Sequence, residues 1–514
     1  MHSNYVDVLI VGAGLSGVGA AWHLRDKCPG KSFALLEGRK RMGGTWDLFR
    51  YPGVRSDTDM YTLGYKFKPW KSTQTIADGP LIRSYIEETA HEAGIAQHIR
   101  FGHKVLRASW SSEDALWTVT ARRVSGTTDD LGEEVTLRCN FLMMCSGYYS
   151  YEQGFTPDFK GRERFRGQIV HPQFWPEDLD YTGKRVVVIG SGATAITLVP
   201  SMADKAAHVT MLQRSPTYVL SVPRADRISP FMRRFLPDQV VHHAARAAFF
   251  SAQAATYQLS KRAPQLARTL LLGAVRKQLD GALPMRHFTP RYKPWDERLC
   301  AVPDGDMFAA IREGKVSVVT DHIDTFTETG VRLQSGAELE ADILVTATGL
   351  EMRLFGGMEI RVDGVPQVMS QALTYKGVMF AGVPNLSLTV GYTNASWTLR
   401  ADLVAEYVCR LLKTMDERGA HTVLARHPGA RVGVRPMLEM ASGYVARAKD
   451  KLPRQGEESP WQLPQSYRRD LKALRFDRLD DQHLEFTRAS TQPLSKRSTA
   501  EPRRRAAREP VAAN

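Results

Sequence analysis

Short apolar runs that end in glycine alternate with stretches of helical periodicity along this chain. Val8–Val11 is an unbroken apolar run, the pattern of a strand buried on both faces. Gly12-Ala13-Gly14-Leu15-Ser16-Gly17 follows, Ala20 and Ala21 begin a helical pattern, and Ser32–Leu36 predicts a second strand ending at Glu37. The same order returns 178 positions later. Arg185–Ile189 predicts a strand, Gly190-Ser191-Gly192-Ala193-Thr194-Ala195 a turn, Ile196–Met202 a helix and Val209–Leu212 the next strand. Helices are also predicted over Ala244–Leu259 and Lys261–Leu279. After Trp397, apolar residues at 399, 403, 404, 408, 411 and 412 predict another, with Thr393, Asn394 and Ser396 as candidate N-caps. The longest apolar stretch, Val241–Leu259, is interrupted by His242, His243 and Arg246, so it does not read as a membrane span.

Strands alternating with helices predict an α/β fold with parallel sheets. The two glycine turns predict two Rossmann-like dinucleotide-binding units. In the first, Gly12, Gly14 and Gly17 allow a tight turn, close backbone approach to a pyrophosphate and close helix–strand packing. The helix start offers N–H groups and a positive dipole end. Glu37, 20 residues after Gly17, stands where an acid accepts hydrogen bonds from ribose hydroxyls and repels a 2′-phosphate, which predicts FAD or NAD over NADP. In the second, Gly190, Gly192, Thr194 and Ala195 form the turn, and the following strand ends in Gln213-Arg214-Ser215 without an acid. Arg214 can pair with a 2′-phosphate and Ser215 can donate to it, which predicts NADPH. Phe141–Gly147 and Asp342–Gly349 are apolar strands ending in a small residue and glycine, and they bracket the second unit as an insertion into the first. The expected division is an FAD-binding domain of residues 1–149 and 336–487, an NADPH-binding domain of 150–335 with a helical insert at 224–298, and a disordered basic tail at 488–514.

Composition narrows the partners. At roughly 100–200 residues per domain, 514 residues suggest two to four domains. With 43% hydrophobic and 24% charged residues, the chain is not a disordered or low-complexity one. Its net charge of +14 raises an anionic partner, but the excess is local. Residues 224–298 carry 14 Lys/Arg against 5 Asp/Glu, residues 488–514 carry 7 against 2, and the remainder is neutral. Two readings of 224–298 stay open: a cover over the substrate cleft with a solvated basic face, or peripheral contact with anionic lipid at the inner face of the cell membrane. Nucleic acid has neither a motif nor interleaved aromatics in its favour. The five cysteines contain no CxxC pair and read as reduced structural thiols of a cytoplasmic protein, with no metal site. The N-terminal segment reads as a first strand, not a signal peptide.

The linker at Phe165-Arg166-Gly167-Gln168-Ile169-Val170-His171-Pro172-Gln173-Phe174-Trp175-Pro176 resembles the FxGxxxHxxxWP fingerprint of Baeyer–Villiger monooxygenases. The related flavin-containing monooxygenases share its first part without Trp175-Pro176. Glu177 departs from the fingerprint's last place. The resemblance covers about residues 1–475 and is nearest to the ethionamide-activating type, on the runs Gly43–Pro69 and Tyr392–Thr398. It implies FAD, NADPH and O₂, with a C4a-peroxyflavin converting ketones to esters or lactones and also oxidising sulfides and thioamides. It implies that Gly44, Thr45, Trp46 and Asp57 lie near the flavin and that Asn394 precedes a helix facing it. Arg298 matches the active-site cation that stabilises an anionic peroxide, and Asp57 the acid that orients it. Where the family often has a basic residue before that arginine, Glu297 stands here, which leaves the 2′-phosphate more dependent on Arg214. The fingerprint, with His171 at its centre, is expected to act through domain positioning and NADPH handling. Three rival readings stay open: a flavin-containing monooxygenase restricted to sulfur or nitrogen, a flavin disulfide reductase, and a non-enzymatic membrane or nucleic-acid binder. The second needs a cysteine pair near the flavin, and 38–61 contains no cysteine.

Overall fold

A computed structural model describes residues 4–123, 132–297, 299–429, 432–440 and 442–488. Arg298 and all of the expected tail beyond Arg488 lie outside the described residues. In the larger sheet, β1 (Tyr5–Val11) runs parallel between β2 (Phe33–Glu37) and β6 (Glu134–Met144). β3 (Ile99–Phe101) extends the β2 edge, while β4 (His103–Ser111) and β5 (Leu116–Arg123) form an antiparallel meander beyond β6. Strand alternation sends Val8 and Ile10 to the core on one face and Leu9 and Val11 to the core on the other. The unbroken apolar run thus reflects a strand covered on both sides.

The smaller sheet is wholly parallel. Its order is Val316–Thr320, β10 (His208–Gln213), β9 (Arg185–Ile189), Ile343–Thr346 and β8 (Gln168–Val170). Val186 and Val188 face one core, Val187 and Ile189 the other. The chain passes between the sheets along β7 (Tyr149–Gly154), which pairs antiparallel with Leu350–Met352. Helix α1 (Leu15–Lys27) follows β1, and α5 (Ala193–Met202) follows β9. Between them lie α2 (Thr45–Leu48), α3 (Met60–Leu63) and α4 (Gly79–Glu92).

A parallel pair, β11 (Val219–Val222) and β12 (Cys300–Pro303), brackets the helical segment: α6 (Ile228–Met232), α7 (Asp238–Arg262) and α8 (Pro264–Leu279). The predicted Lys261–Leu279 helix is divided at Ala263, which precedes Pro264 and is forced out of helical geometry. Helix does not continue to 298. Gly281, Pro284, Pro290 and Pro294 interrupt it, leaving a short 3₁₀ turn at Met285–Phe288.

The expected solvated basic face of this segment needs correction at α7. Arg246 and His242 are buried. Arg246 Nη1 donates to the carbonyls of Tyr61 at 2.6 Å, Gly64 at 2.7 Å and Thr62 at 3.3 Å, covering the C-terminal end of α3. Its Nη2 lies 3.5 Å from Asp402 on α10 (Trp397–Arg418), and Asp402 meets His23 of α1 at 3.3 Å. Burial pushes the Asp402 carboxyl up, but the His23 hydrogen bond and the charges of His23 and Arg246 outweigh it and hold it below the usual range. His242 Nε2 donates to Tyr65 O at 3.1 Å and Nδ1 accepts from the Trp70 N–H at 3.4 Å, so the neutral ring satisfies both nitrogens. Burial, helped by the Arg246 charge, drives this imidazole down to about 4.

Two outcomes follow from these buried groups. Arg246→Leu leaves Asp402 buried without its guanidinium and lowers stability by about 3–5 kcal/mol, read by denaturant unfolding; an unchanged midpoint contradicts the account. His242 protonates near 6.5 when unfolded and near 4 when folded. Its contribution is complete above pH 6.5 and is lost as the pH falls toward about 4, because the unfolded chain binds the proton first. His242→Gln therefore flattens the decline of the thermal midpoint across that window.

Candidate active site

The first glycine turn is built by contacts that exclude side chains. Gly12 has φ +103°, and a Cβ there would lie 2.5 Å from the Cys145 carbonyl oxygen beyond β6. A Cβ on Gly17 would lie 1.9 Å from Gly12 O, so α1 can approach β1 only with glycine at that place. Gly14, at the start of α1, faces Gly44, where a Cβ would come within 3.1 Å of the Gly14 Cα. No side chain caps α1. Its first N–H groups and the bare glycine surfaces form a cradle that fits a pyrophosphate. Glu37 is buried beside the turn: its Oε2 accepts from the Ala13 N–H at 2.8 Å and its Oε1 from the Arg39 N–H at 2.9 Å. Burial pushes the carboxyl up despite those bonds.

Sequence reasoning missed the charge cluster beside it. The buried Asp47 of α2 gathers Arg39 at 2.7 Å, Arg41 at 3.1 Å, Arg50 at 3.5 Å and Arg83 at 3.6 Å. Arg83 also meets Glu87 at 3.3 Å, so the cluster is a network of alternating charges beside this cradle. No spacing rule announces such a cluster.

A cleft of about 450 Å³ joins the two nucleotide units. Gly12, Gly14, Glu37, Gly44, Thr45 and Trp46 line it from the larger sheet, with Asp57 beside them. Ala193, Thr194 and Thr197 of α5 line it from the smaller. The loop carrying Asp57 is pressed onto α5, where a Cβ on Gly53 would lie 1.8 Å from Ser201 Oγ, and its Arg55 ion-pairs with Asp306 at the start of the Asp306–Arg312 helix. Tyr51, also on that loop, is buried and lines the cleft with Thr194; burial pushes its phenol up to about 12. Cys145 is the cysteine that lines the cleft, and burial raises its thiol to about 12, which removes it as a thiolate nucleophile.

The candidate caps of α10 do not cap it. Ser396 occupies the N-cap place, but its Oγ lies 2.6 Å from Thr62 Oγ1, which lies 2.8 Å from Asp59 Oδ2. Asn394 Nδ2 donates to Gln465 O at 3.0 Å, and Thr393 N–H donates to Gln465 Oε1 at 2.9 Å. Tertiary partners have taken these side chains, and Ser396 and Trp397 line the cleft while Asn394 does not. Asp59 is buried, and that burial raises its carboxyl.

At the second turn Gly190 has φ +140°, and a Cβ would lie 2.3 Å from Ala347 O; Gly192 opens onto space at the start of α5. Ala195 is buried against the sheet. Ser191 Oγ donates to Ser215 O at 3.0 Å. Arg214 and Ser215 are exposed just past β10. Burial raises the Glu297 carboxyl, and the Arg214 charge acts against that rise. The linker residues stand behind the cleft, not in it. Phe165 is buried in a core beneath the smaller sheet, and a Cβ on Gly167 would lie 2.3 Å from Asp342 O. His171 Nε2 donates to Gly349 O at 3.3 Å and its Nδ1 accepts from the Gln173 N–H at 3.2 Å. A Cβ on Gly154 would lie 2.0 Å from this ring, so His171 sits wedged between the two chain crossings. Burial lowers its imidazole. Trp175 meets Tyr181 edge-on at 6.5 Å, and Glu177, after Pro176, ion-pairs with Arg50.

The flavin-binding monooxygenase-like family model matches residues 77–423, and the NAD(P)-binding Rossmann-like domain model matches residues 10–70. The FAD-containing monooxygenase EthA of Mycobacterium tuberculosis (strain ATCC 25618 / H37Rv) is 53% identical over 488 residues, covering 95% of this chain and 98% of the relative. Among solved structures, oxidized steroid monooxygenase bound to NADP is similar with a TM-score of 0.68 and 26% identity, covering 83% of this chain and 88% of that one. OTEMO in complex with FAD and NADP has the same fold, with a TM-score of 0.67 and 22% identity over 82% of this chain and 88% of that one.

Arg214→Ala removes the exposed cation beyond β10. It is expected to lower kcat/KM with NADPH about tenfold or more while leaving NADH almost unchanged, as measured by steady-state oxidation of each. An undiminished preference for NADPH contradicts this role.

Proposed function

This chain belongs to the flavin-binding monooxygenase-like family, and we propose that within it the chain is a Baeyer–Villiger monooxygenase. It is an NADPH-dependent flavin monooxygenase that uses FAD, O₂ and a small-molecule substrate. The proposed reaction takes a ketone, O₂, NADPH and a proton to an ester or lactone, NADP⁺ and water. Oxidation of sulfides and thioamides at the same site is part of the proposal. The observation that carries it is the convergence of both glycine turns on one cleft, with the Phe165–Pro176 linker wedged behind it through His171.

Bound FAD supplies the redox chemistry, accepting hydride from NADPH and activating O₂. The chain's own residues bind and orient. Glu37 is proposed to accept from the ribose hydroxyls of the adenosine, and the α1 N-terminus to take the pyrophosphate. Gly44, Thr45 and Trp46 are proposed as one wall of the ring site, and the N-terminus of α10 after Asn394 as its electropositive end. Gly190, Gly192 and Thr194 are proposed to seat the NADPH pyrophosphate, with Ala195 letting α5 pack on the sheet, and Arg214 with Ser215 to hold the 2′-phosphate. Arg298 is the proposed fixed cation, since a guanidinium keeps its charge while negative charge develops on the reacting oxygens. Asp57, at the cleft, is its proposed orienting partner. The division into an FAD domain (1–149 and 336–487) and an NADPH domain (150–335) is proposed on the same grounds.

No helix of the described residues is long and apolar enough to cross a membrane. Peripheral contact of the 224–298 segment with the inner membrane face belongs to this proposal as well. The alternative chemistry is oxygenation restricted to sulfur or nitrogen. Product analysis with an aryl ketone and a thioether separates the two: the proposal expects ester from the ketone, and sulfoxide alone assigns the alternative. Arg298→Ala is expected to abolish ester formation while the protein keeps its bound flavin; ketone turnover at the wild-type rate sinks the role given to Arg298.

A further inference from the structure

The α6 turn and the start of α7 expose a group of large apolar side chains. Ile228 is 71% exposed, Phe231 58%, Phe235 73%, Leu236 41% and Val240 50%. Phe231 and Phe235 meet edge to face with ring centroids 5.5 Å apart. The knuckle is braced from beneath. Asp226 accepts from the Ile228 N–H at 2.7 Å and from the Tyr61 hydroxyl at 2.9 Å, and Arg233 donates to Lys71 O at 2.7 Å and to Trp70 O. Scattered exposed apolar residues need no occupant, but a contiguous group held from beneath by hydrogen bonds marks an interaction surface.

Charge selects the occupant. Asp238 is paired with Lys71 at 3.3 Å and Arg233 at 3.6 Å, and Asp226 is turned inward onto Tyr61 and the backbone. Arg227 and Arg234 are exposed on the same turn. A second copy of the chain across a two-fold axis would set these arginines against their own kind. An anionic lipid surface meets both features, taking the rings at the acyl boundary and the guanidiniums among the headgroups. We propose that the Ile228–Val240 knuckle docks the enzyme onto an anionic membrane surface. The inference rests on the peripheral-contact reading of the basic segment and gives that contact a location; it is independent of the chemistry at the cleft.

The test uses the full-length holoenzyme in co-sedimentation with vesicles of phosphatidylcholine alone and with vesicles of phosphatidylcholine and phosphatidylglycerol in equal parts. The wild type is expected to pellet with the mixed vesicles and to be partly released by salt. Phe231→Ser with Phe235→Ser is expected to weaken binding about tenfold or more, with flavin content and NADPH oxidation unchanged. Arg227→Gln with Arg234→Gln is expected to flatten the salt dependence. If the wild type does not pellet, membrane contact fails altogether. If it pellets as well without the two phenylalanines, the contact lies elsewhere, such as the basic tail, and the knuckle assignment is overturned. Self-association that the phenylalanine variant abolishes, without vesicle binding, assigns the face to a second copy and overturns it too.

Discussion

A guanidinium buried where α7 meets α3 and α10, and linked through one carboxylate to α1, organises this part of the molecule. Arg246 of α7 cannot lose its charge, so taking it out of water is tolerable only with several well-placed acceptors. It has three carbonyls at the end of α3 and the carboxylate of Asp402 on α10, which in turn holds His23 on α1. These are the helices that matter at the cleft. The N-terminus of α1 lines the cleft, α10 begins at Ser396 on the cleft wall, and α3 supplies Thr62 to that serine. One charge therefore ties α7 to α3 and α10 and, through Asp402, to α1. Loosening it would disturb the site from a distance.

The two nucleotide turns are held by a different constraint, the close approach of backbone to backbone. Side chains at Gly12, Gly17 or Gly190 would overlap carbonyl oxygens of neighbouring strands or of the turn itself. Where the two units meet, the contacts are again short. Gly53 lies against Ser201, Tyr51 and Thr194 line the same cleft, and Arg55 pairs with Asp306. The linker acts on the same junction from behind, with His171 wedged against Gly154 and bonded to Gly349. The neutral ring donates to Gly349 and accepts from the Gln173 N–H, and burial disfavours the protonated form that could not accept. Glu177, where the fingerprint is broken, pairs with Arg50, and Arg50 also reaches Asp47.

The net charge of +14 takes on a different meaning once it is placed. In the helical segment Arg246 is spent on internal carbonyls, and Arg268 donates to the Tyr218 hydroxyl and to Pro290 O. Arg233 is turned under the α6 knuckle. What faces outward is a smaller set, with Arg227 and Arg234 beside uncovered phenylalanines. Counting charge along a chain does not distinguish a structural cation from a surface one.

The amino-acid sequence by itself determined the α/β alternation, the two glycine turns and the acid that follows the first of them. These are local constraints: a positive φ, a strand covered on both faces and an approach too close for a Cβ each leave a mark within about 30 residues. The helix break at Ala263 was equally local, written in Pro264, and an uninterrupted apolar periodicity concealed it. Only the tertiary structure decided what Asp47, Tyr51, Arg246 and Ser396 do. Their side chains have more than one satisfactory partner, and a hydroxyl that could cap its own helix bonds Thr62, 334 positions away. Such choices depend on which surfaces the packed sheets and helices bring within hydrogen-bond distance, and that is a property of the assembled core, with no period or spacing in the chain to record it.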